Sequence, residues 1–182
     1  MSLTLLLGGA RSGKSRLAGT LMTSGSSPVT LIATAEGGDQ EMRDRILEHR
    51  TSRPNHWLVV EESVDLEGAL NEIDGETRVI VDCLTLWVSN LMGHGLDDDE
   101  IQTRARRAAS VAAARPLETV VVSNEVGSGI VPVNDLARRY RDLLGRVNAI
   151  WADASDAVFL TVAGGIIPVQ RTDSVWRETT DG

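Results

Sequence analysis

Aromatic residues and cysteine are nearly missing from this chain. Trp, Tyr and Phe together make up 3% of its 182 residues, too few for the stacking platforms that hold single-stranded nucleic acid. A single cysteine, Cys83, excludes a disulfide framework and a cysteine-rich zinc site, and it suits a reducing compartment. Positive charge is in deficit: 18 Lys and Arg against 26 Asp and Glu leave a formal −8. That is the reverse of the basic footprint that nucleic acid requires. Long hydrophobic runs are also lacking. The uncharged stretches 83–96 and 157–170 fall short of the roughly 17–25 residues that cross a bilayer, and Gly164, Gly165 and Pro168 interrupt the second. The apolar opening Leu3 to Leu7 is short, with no positive residue before it, so no targeting segment is read. The expectation is a cytoplasmic protein with no nucleic-acid partner and no membrane insertion.

Hydrophobic residues make up 42% of the chain, which excludes general disorder. The length suits one domain, expected over 1–170, followed by a loose polar tail over 171–182. Short apolar, β-branched runs alternate with longer amphipathic stretches. Strands are expected at 3–7, 29–33, 57–60, 79–82, 119–122 and 157–162. Helices are expected after residue 13, over 40–53 up to Pro54, and from the Asp97-Asp98-Asp99 cap to Arg115, where Pro116 stops it. A further helix over 136–154 is expected in two pieces around Gly145. This pattern predicts an α/β fold: a mostly parallel sheet with helices on both faces. In such sheets ligands bind beyond the carboxyl ends of the strands, so the chemistry should follow Leu7, Ala33, Val81 and Val122.

The segment Gly8-Gly9-Ala10-Arg11-Ser12-Gly13-Lys14-Ser15 fits G-x-x-x-x-G-K-[ST] at every fixed position, with a strand before it and a helix after it. Glycines let backbone N–H groups turn onto phosphate oxygens, and the helix N-terminus adds positive potential. Lys14 is placed to reach the β- and γ-phosphates, and Ser15 to ligate Mg²⁺. Asp82 ends an apolar strand, where a carboxylate suits the Mg²⁺ shell or caps the next helix.

Two further segments carry chemistry. Over 41–53, helical spacing puts Met42, Arg45, Ile46, His49 and Arg53 on one side. Arginines bind phosphate oxygens and keep an imidazole neutral and nucleophilic, as a phosphorylated or nucleotidylated histidine requires. On spacing alone, a solvated basic face with an incidental histidine is the commoner arrangement. His56 and His94 carry weaker cases. The loop from Ser123 to Pro132 follows a buried strand and holds Glu125, Gly127 and Gly129. Glu125 is read as a substrate ligand, a metal ligand through water or a general base, with an exposed turn residue as the plain alternative. Arg138, Arg139, Arg141 and Arg146 offer a basic surface or a solvated helix face.

Taken together these segments resemble the bifunctional adenosylcobinamide kinase / adenosylcobinamide-phosphate guanylyltransferase family. The resemblance rests on the phosphate loop, Ile32-Ala33-Thr34-Ala35, Arg45-Ile46-x-x-His49, Arg53-Pro54-x-His56-Trp57 and Asp82-Cys83-Leu84-Thr85. It continues through Ser123-Asn124-Glu125-Val126-Gly127-x-Gly129-Ile130-Val131-Pro132 and Arg141-Asp142-x-x-Gly145-Arg146-x-Asn148. It implies a RecA-like P-loop fold and a homotrimer. It also implies two reactions: phosphorylation of adenosylcobinamide with ATP or GTP, then transfer of GMP from GTP to adenosylcobinamide phosphate. The second passes through a guanylylated histidine, which maps onto His49. Family nucleotide contacts map onto Gly8 to Ser15, Ala33, Thr34, Ala35, Arg50, Thr51, Ser52, Arg53, Glu61 and Asp82. A second histidine present in some relatives is Glu48 here, which removes a rival nucleophile. A one-reaction small-molecule kinase and a non-catalytic nucleotide switch are the alternatives; a switch does not require the arginine-flanked histidine.

Overall fold

The computed structural model describes residues 3–36, 54 and 56–170. The helix expected over 40–53, with His49 and Arg50 to Arg53, lies outside the described residues, as does the tail 171–182. The described strands are β1 (Leu3–Gly8), β2 (Val29–Ala33), β3 (Leu58–Glu61), β4 (Arg78–Asp82), β5 (Thr119–Val122), β6 (Ala157–Val162) and β7 (Gly165–Pro168). Helices are α1 (Lys14–Thr23), α2 (Leu66–Glu72), α3 (Leu84–Gly93), α4 (Asp98–Ala114) and α5 (Asp135–Ala154).

The strands form one sheet in the order β3-β2-β4-β5-β1-β6-β7. Every pairing is parallel except the β6–β7 hairpin. Alternation along each strand feeds two cores. Leu5, Val79, Val81 and Val121 pack with Leu66, Trp87, Ile101, Leu143, Leu144 and Trp151. Leu6, Ile80, Val120 and Val122 face the other way, onto Ala18, Met22 and Trp57. Helices therefore cover both faces, as the β-branched runs predict.

Three elements escape the periodicity. α3 is the uncharged stretch after Cys83; it buries Leu84, Trp87, Val88 and Leu91 and is apolar nearly all round. α2 is only seven residues long, capped by the Asp65 carboxylate accepting from Gly68 N. β7 follows a turn in which Ala163 (φ 49°) and Gly164 (φ 80°) are both left-handed, the backbone of a tight hairpin. α5 corrects the expected break at Gly145: it runs unbroken from Asp135 to Ala154. Glycine costs a helix interior about 1 kcal/mol. The buried stripe Leu143, Leu144, Val147 and Trp151 spans both sides of it and outweighs that. Asp97 caps α4, as its sequence predicts, and the structure adds a reciprocal capping box with Glu100. Among the described residues, no helix is long and apolar enough to cross a membrane.

Candidate nucleotide site

The carboxyl ends of the strands meet in register. Ala33 pairs with Glu61 on one side and with Asp82 on the other, and Asp82 pairs with Val122. Three candidate residues from three separate strands thus lie in one row at the sheet edge. The loop Gly8 to Ser15 leaves that same edge from β1, with β5 alone between β1 and the Asp82 strand.

Backbone space shapes the loop. Gly8 sits at φ 151°, and a Cβ there would lie 2.3 Å from Thr161 O and 2.9 Å from Ser12 Oγ, so no larger residue fits. Gly13, at φ 102°, stands immediately before α1. Gly164 of the hairpin turn donates its N–H to Ser12 O at 2.9 Å, bracing the loop from outside. Lys14 is buried, and its ammonium donates to Gly8 O (2.8 Å), Gly9 O (2.6 Å) and Ser12 Oγ (3.3 Å). Burial lowers its pKa, while Cys83 and Asp82 act the other way. The Cys83 thiol, just past Asp82, is pushed up to about 11, chiefly by burial and then by the Asp82 charge. It is a neutral thiol at physiological pH.

Ser15 is the second residue of α1, and Asp82 ends β4 close enough to Lys14 to raise its ammonium's proton affinity. One hydroxyl and one carboxylate beside a phosphate loop fit Mg²⁺, a hard cation that takes few protein oxygens and keeps several waters.

Thr34, a nucleotide contact by the family resemblance, is fully buried. Its hydroxyl donates to Cys83 O (2.7 Å) and accepts from Cys83 N (2.8 Å), and its own N–H donates to Asp82 O (3.1 Å). The side chain is committed to fixing the segment that carries Asp82. Asn90 of α3 donates to Thr34 O (2.8 Å) and Ser63 O (3.2 Å), tying in the ends of β2 and β3.

A second network holds the Asn124–Glu125 segment. Ser123 Oγ donates to Asn148 Oδ1 (2.6 Å), and Asn148 Nδ2 donates to Asn124 O (3.0 Å). Asn124 N donates to Thr85 Oγ1 (2.8 Å), and the Tyr140 hydroxyl donates to Thr85 O (3.1 Å). Burial pushes the Tyr140 phenol up, so it remains a donor. Glu125 N donates to Gly8 O (3.0 Å), which places Glu125 against the root of the phosphate loop. Its Oε1 accepts from Gly127 N (2.5 Å), so one carboxylate oxygen closes its own turn. Sequence reasoning gave no role to Thr85, Asn90, Tyr140 or Asn148. Thr85 and Asn148 stand in segments that carry the family resemblance, and Asn148 is also a polar residue inside the apolar stripe Leu144, Val147, Trp151.

The other candidates separate from this centre. His94 caps α3, with Nε2 3.4 Å from Glu36 Oε1. His56 lies exposed in a turn. Arg138 binds Pro132 O and Val133 O and pairs with Asp135. Arg139 binds Asp98 and Leu96 O, so both of these arginines serve as local fasteners.

Comparison with known proteins agrees across nearly the whole chain. A family model described as cobinamide kinase / cobinamide phosphate guanyltransferase matches residues 4–169. The "Bifunctional adenosylcobalamin biosynthesis protein CobP" of Pseudomonas aeruginosa is 43% identical over 169 residues, 91% of this chain and 96% of that protein. The corresponding protein CobU of Escherichia coli is 42% identical, over 88% of this chain and 95% of that protein. Among solved structures, the type III secretion ATPase EscN of enteropathogenic E. coli superposes with a TM-score of 0.60 at 13% identity. That match covers 89% of this chain but 43% of the ATPase, and it speaks to fold alone.

Proposed function

The chain belongs to the cobinamide kinase / cobinamide phosphate guanyltransferase family, and from that membership we propose that one phosphate loop serves both of the reactions for which the family is named. In the first, the hydroxyl on the aminopropanol arm of adenosylcobinamide attacks the γ-phosphorus of ATP or GTP. The bond to the β–γ bridging oxygen breaks, and the nucleoside diphosphate leaves. In the second, His49 attacks the α-phosphorus of GTP, pyrophosphate leaves, and GMP remains on the imidazole nitrogen. A phosphate oxygen of adenosylcobinamide phosphate then attacks that phosphorus, the P–N bond breaks, and adenosylcobinamide-GDP forms.

The observation that carries this reading is the row Glu61–Ala33–Asp82 standing beside the loop Gly8 to Ser15. Lys14 neutralises charge on the polyphosphate, exchanging its contacts to Gly8 O and Gly9 O for phosphate oxygens. The N–H groups at the start of α1 do the same. Ser15 and Asp82 would hold Mg²⁺, which supplies charge neutralisation between phosphates. Ala33, Ala35, Glu61 and Arg50 to Arg53 contribute to the nucleoside side. Glu125 takes the acceptor's proton in the first step, its backbone held to Gly8 O. The protein works in the cytoplasm as a homo-oligomer, trimeric by the resemblance. Exposed Ile130, Val131, Val133 and Leu136 support such an association, since apolar surface of that density usually meets a partner.

The test supplies adenosylcobinamide with GTP and follows phosphorylated and GDP-linked corrinoids together with pyrophosphate. Both corrinoid products are expected, in that order. Phosphorylated corrinoid as the sole product, without pyrophosphate, would reduce the protein to a one-reaction kinase. Tight nucleotide binding without either product would make it a switch.

A further inference from the structure

One glycine in α5 is unexplained by the packing of the chain itself. At Gly127 a Cβ would lie 2.8 Å from Glu125 Oε1, the end of a flexible side chain that would have to swing aside. Gly145 differs: a Cβ built on it meets nothing within 4 Å, and glycine is a poor residue for a helix interior. Asp142, Gly145, Arg146 and Ala149 share the exposed face of α5, while Leu143, Leu144, Val147 and Asn148 are buried on the other. What benefits from a bare backbone at Gly145 is therefore something that approaches α5 from outside.

An open groove of about 660 Å³ lies along that face, lined by Gly127, Arg141, Asp142, Gly145, Arg146 and Ala149. It adjoins the site already described. Gly127 is two residues from Glu125, whose N–H binds Gly8 O. Asn148, on the opposite face of the same turns, holds Asn124 O. Two glycines and an alanine give the groove a flat, close floor, and two guanidinium groups stand on it. Arg141 donates from Nε and Nη2 to Asp142 Oδ1 (2.9 and 2.8 Å), leaving Nη1 donors outside that pair. Arg146 is exposed, with Nη1 3.6 Å from Asp98 Oδ2. Guanidinium donors at the end of a flat floor suit a phosphate monoester carried by a large flat ligand.

We propose that this groove is the acceptor subsite. Resting on the reading above, it seats the amide-rimmed corrin macrocycle against Gly127, Gly145 and Ala149. Arg141 and Arg146 then take the arm phosphate of the second acceptor. The subsite opens beside Glu125, so the hydroxyl arm reaches the phosphate loop without the macrocycle entering the nucleotide site. Gly145 sets specificity by the room it leaves.

The experiment measures steady-state kinetics of Gly145→Leu and Arg146→Gln against the unaltered protein, with each acceptor varied at saturating triphosphate. Gly145→Leu should raise KM for adenosylcobinamide about tenfold or more, with KM for triphosphate within about twofold and no loss of thermal stability, since leucine favours the helix. Arg146→Gln should raise KM for adenosylcobinamide phosphate about tenfold but that for adenosylcobinamide less than about threefold. An unshifted acceptor KM in Gly145→Leu overturns the proposal, whether or not its sedimentation shows a changed oligomer. So does an equal rise in triphosphate KM, which would assign the groove to the nucleotide. Absence of acceptor turnover in the unaltered protein would overturn the family reading and the groove together. Normal turnover with unshifted variants removes the groove alone.

Discussion

The two halves of the site are built in opposite ways. The phosphate loop is self-contained: Lys14 binds Gly8 O, Gly9 O and Ser12 Oγ, partners six, five and two residues away. The framework around it is assembled from a distance. Thr34 binds Cys83 across 49 residues, Asn124 binds Thr85 across 39, and Ser123 binds Asn148 across 25. A local motif can be carried into many folds and still bind a triphosphate. A framework made of distant pieces exists only once the sheet has formed.

Breaking the local half should have the largest effect. Lys14→Met is expected to lower kcat/KM for phosphoryl transfer about a thousandfold, because a buried donor aimed at developing charge has no substitute in water. An initial-rate assay of nucleoside diphosphate release reads it. Gly8→Ala comes next: with Thr161 O in the way, it should cost about 3–4 kcal/mol and lower Tm by roughly 6–16 °C, measured by calorimetry.

Cys83 marks the seam between the halves. With its thiol raised from 9.0 to about 11 by burial, its thiolate fraction at pH 8 should be about a hundredfold below that of an ordinary cysteine. Alkylation by iodoacetamide should be slowed to match and restored in urea. The linkage has one sign. Below pH 9 the thiol is neutral in both states and stability is unaffected. From pH 9 to about 11 only the unfolded thiol ionises, so stability falls as pH rises.

Breaking the distant half should have smaller and separable consequences. Asn148→Ala leaves the Ser123 hydroxyl and Asn124 O without their partner, for about 2 kcal/mol of stability. Its kcat should fall while KM for triphosphate holds. Thr34→Val should cost a similar amount by stranding Cys83 N and O. Thr34→Ser should recover most of it, because the serine hydroxyl can make the same two bonds. Denaturant melts and kinetics on the three variants check both statements.

How much could be read beforehand follows the same division. The loop Gly8 to Ser15, the individual strand ends and the α4 cap were legible because each is set by neighbours in sequence, whereas the row those ends form depends on the order of the strands. Of α3 only a helix start after Asp82 was suggested, because a helix apolar nearly all round shows little 3.6-residue contrast. The break expected at Gly145 was wrong because a buried stripe several residues long overrides one poor helix former. Thr34 maps onto a nucleotide contact by the resemblance, and the bonds of its side chain to Cys83 depend on β2 and β4 being neighbours in the sheet, which no local pattern encodes. Thr85 and Asn148 stood in recognisable segments, but the partners they and Tyr140 bind could not be read, for the same reason. The expectation for His49 falls outside the described residues, and its role is a proposal on resemblance.

The most direct test of a single loop serving two reactions is protein labelling by GTP carrying radioactive α-phosphate, with no corrinoid present. The account predicts an acid-labile, alkali-stable label on the unaltered protein, absent from both His49→Asn and Lys14→Met. Label retained at the original rate in Lys14→Met, with phosphoryl transfer abolished, would separate the two reactions onto different sites and contradict it.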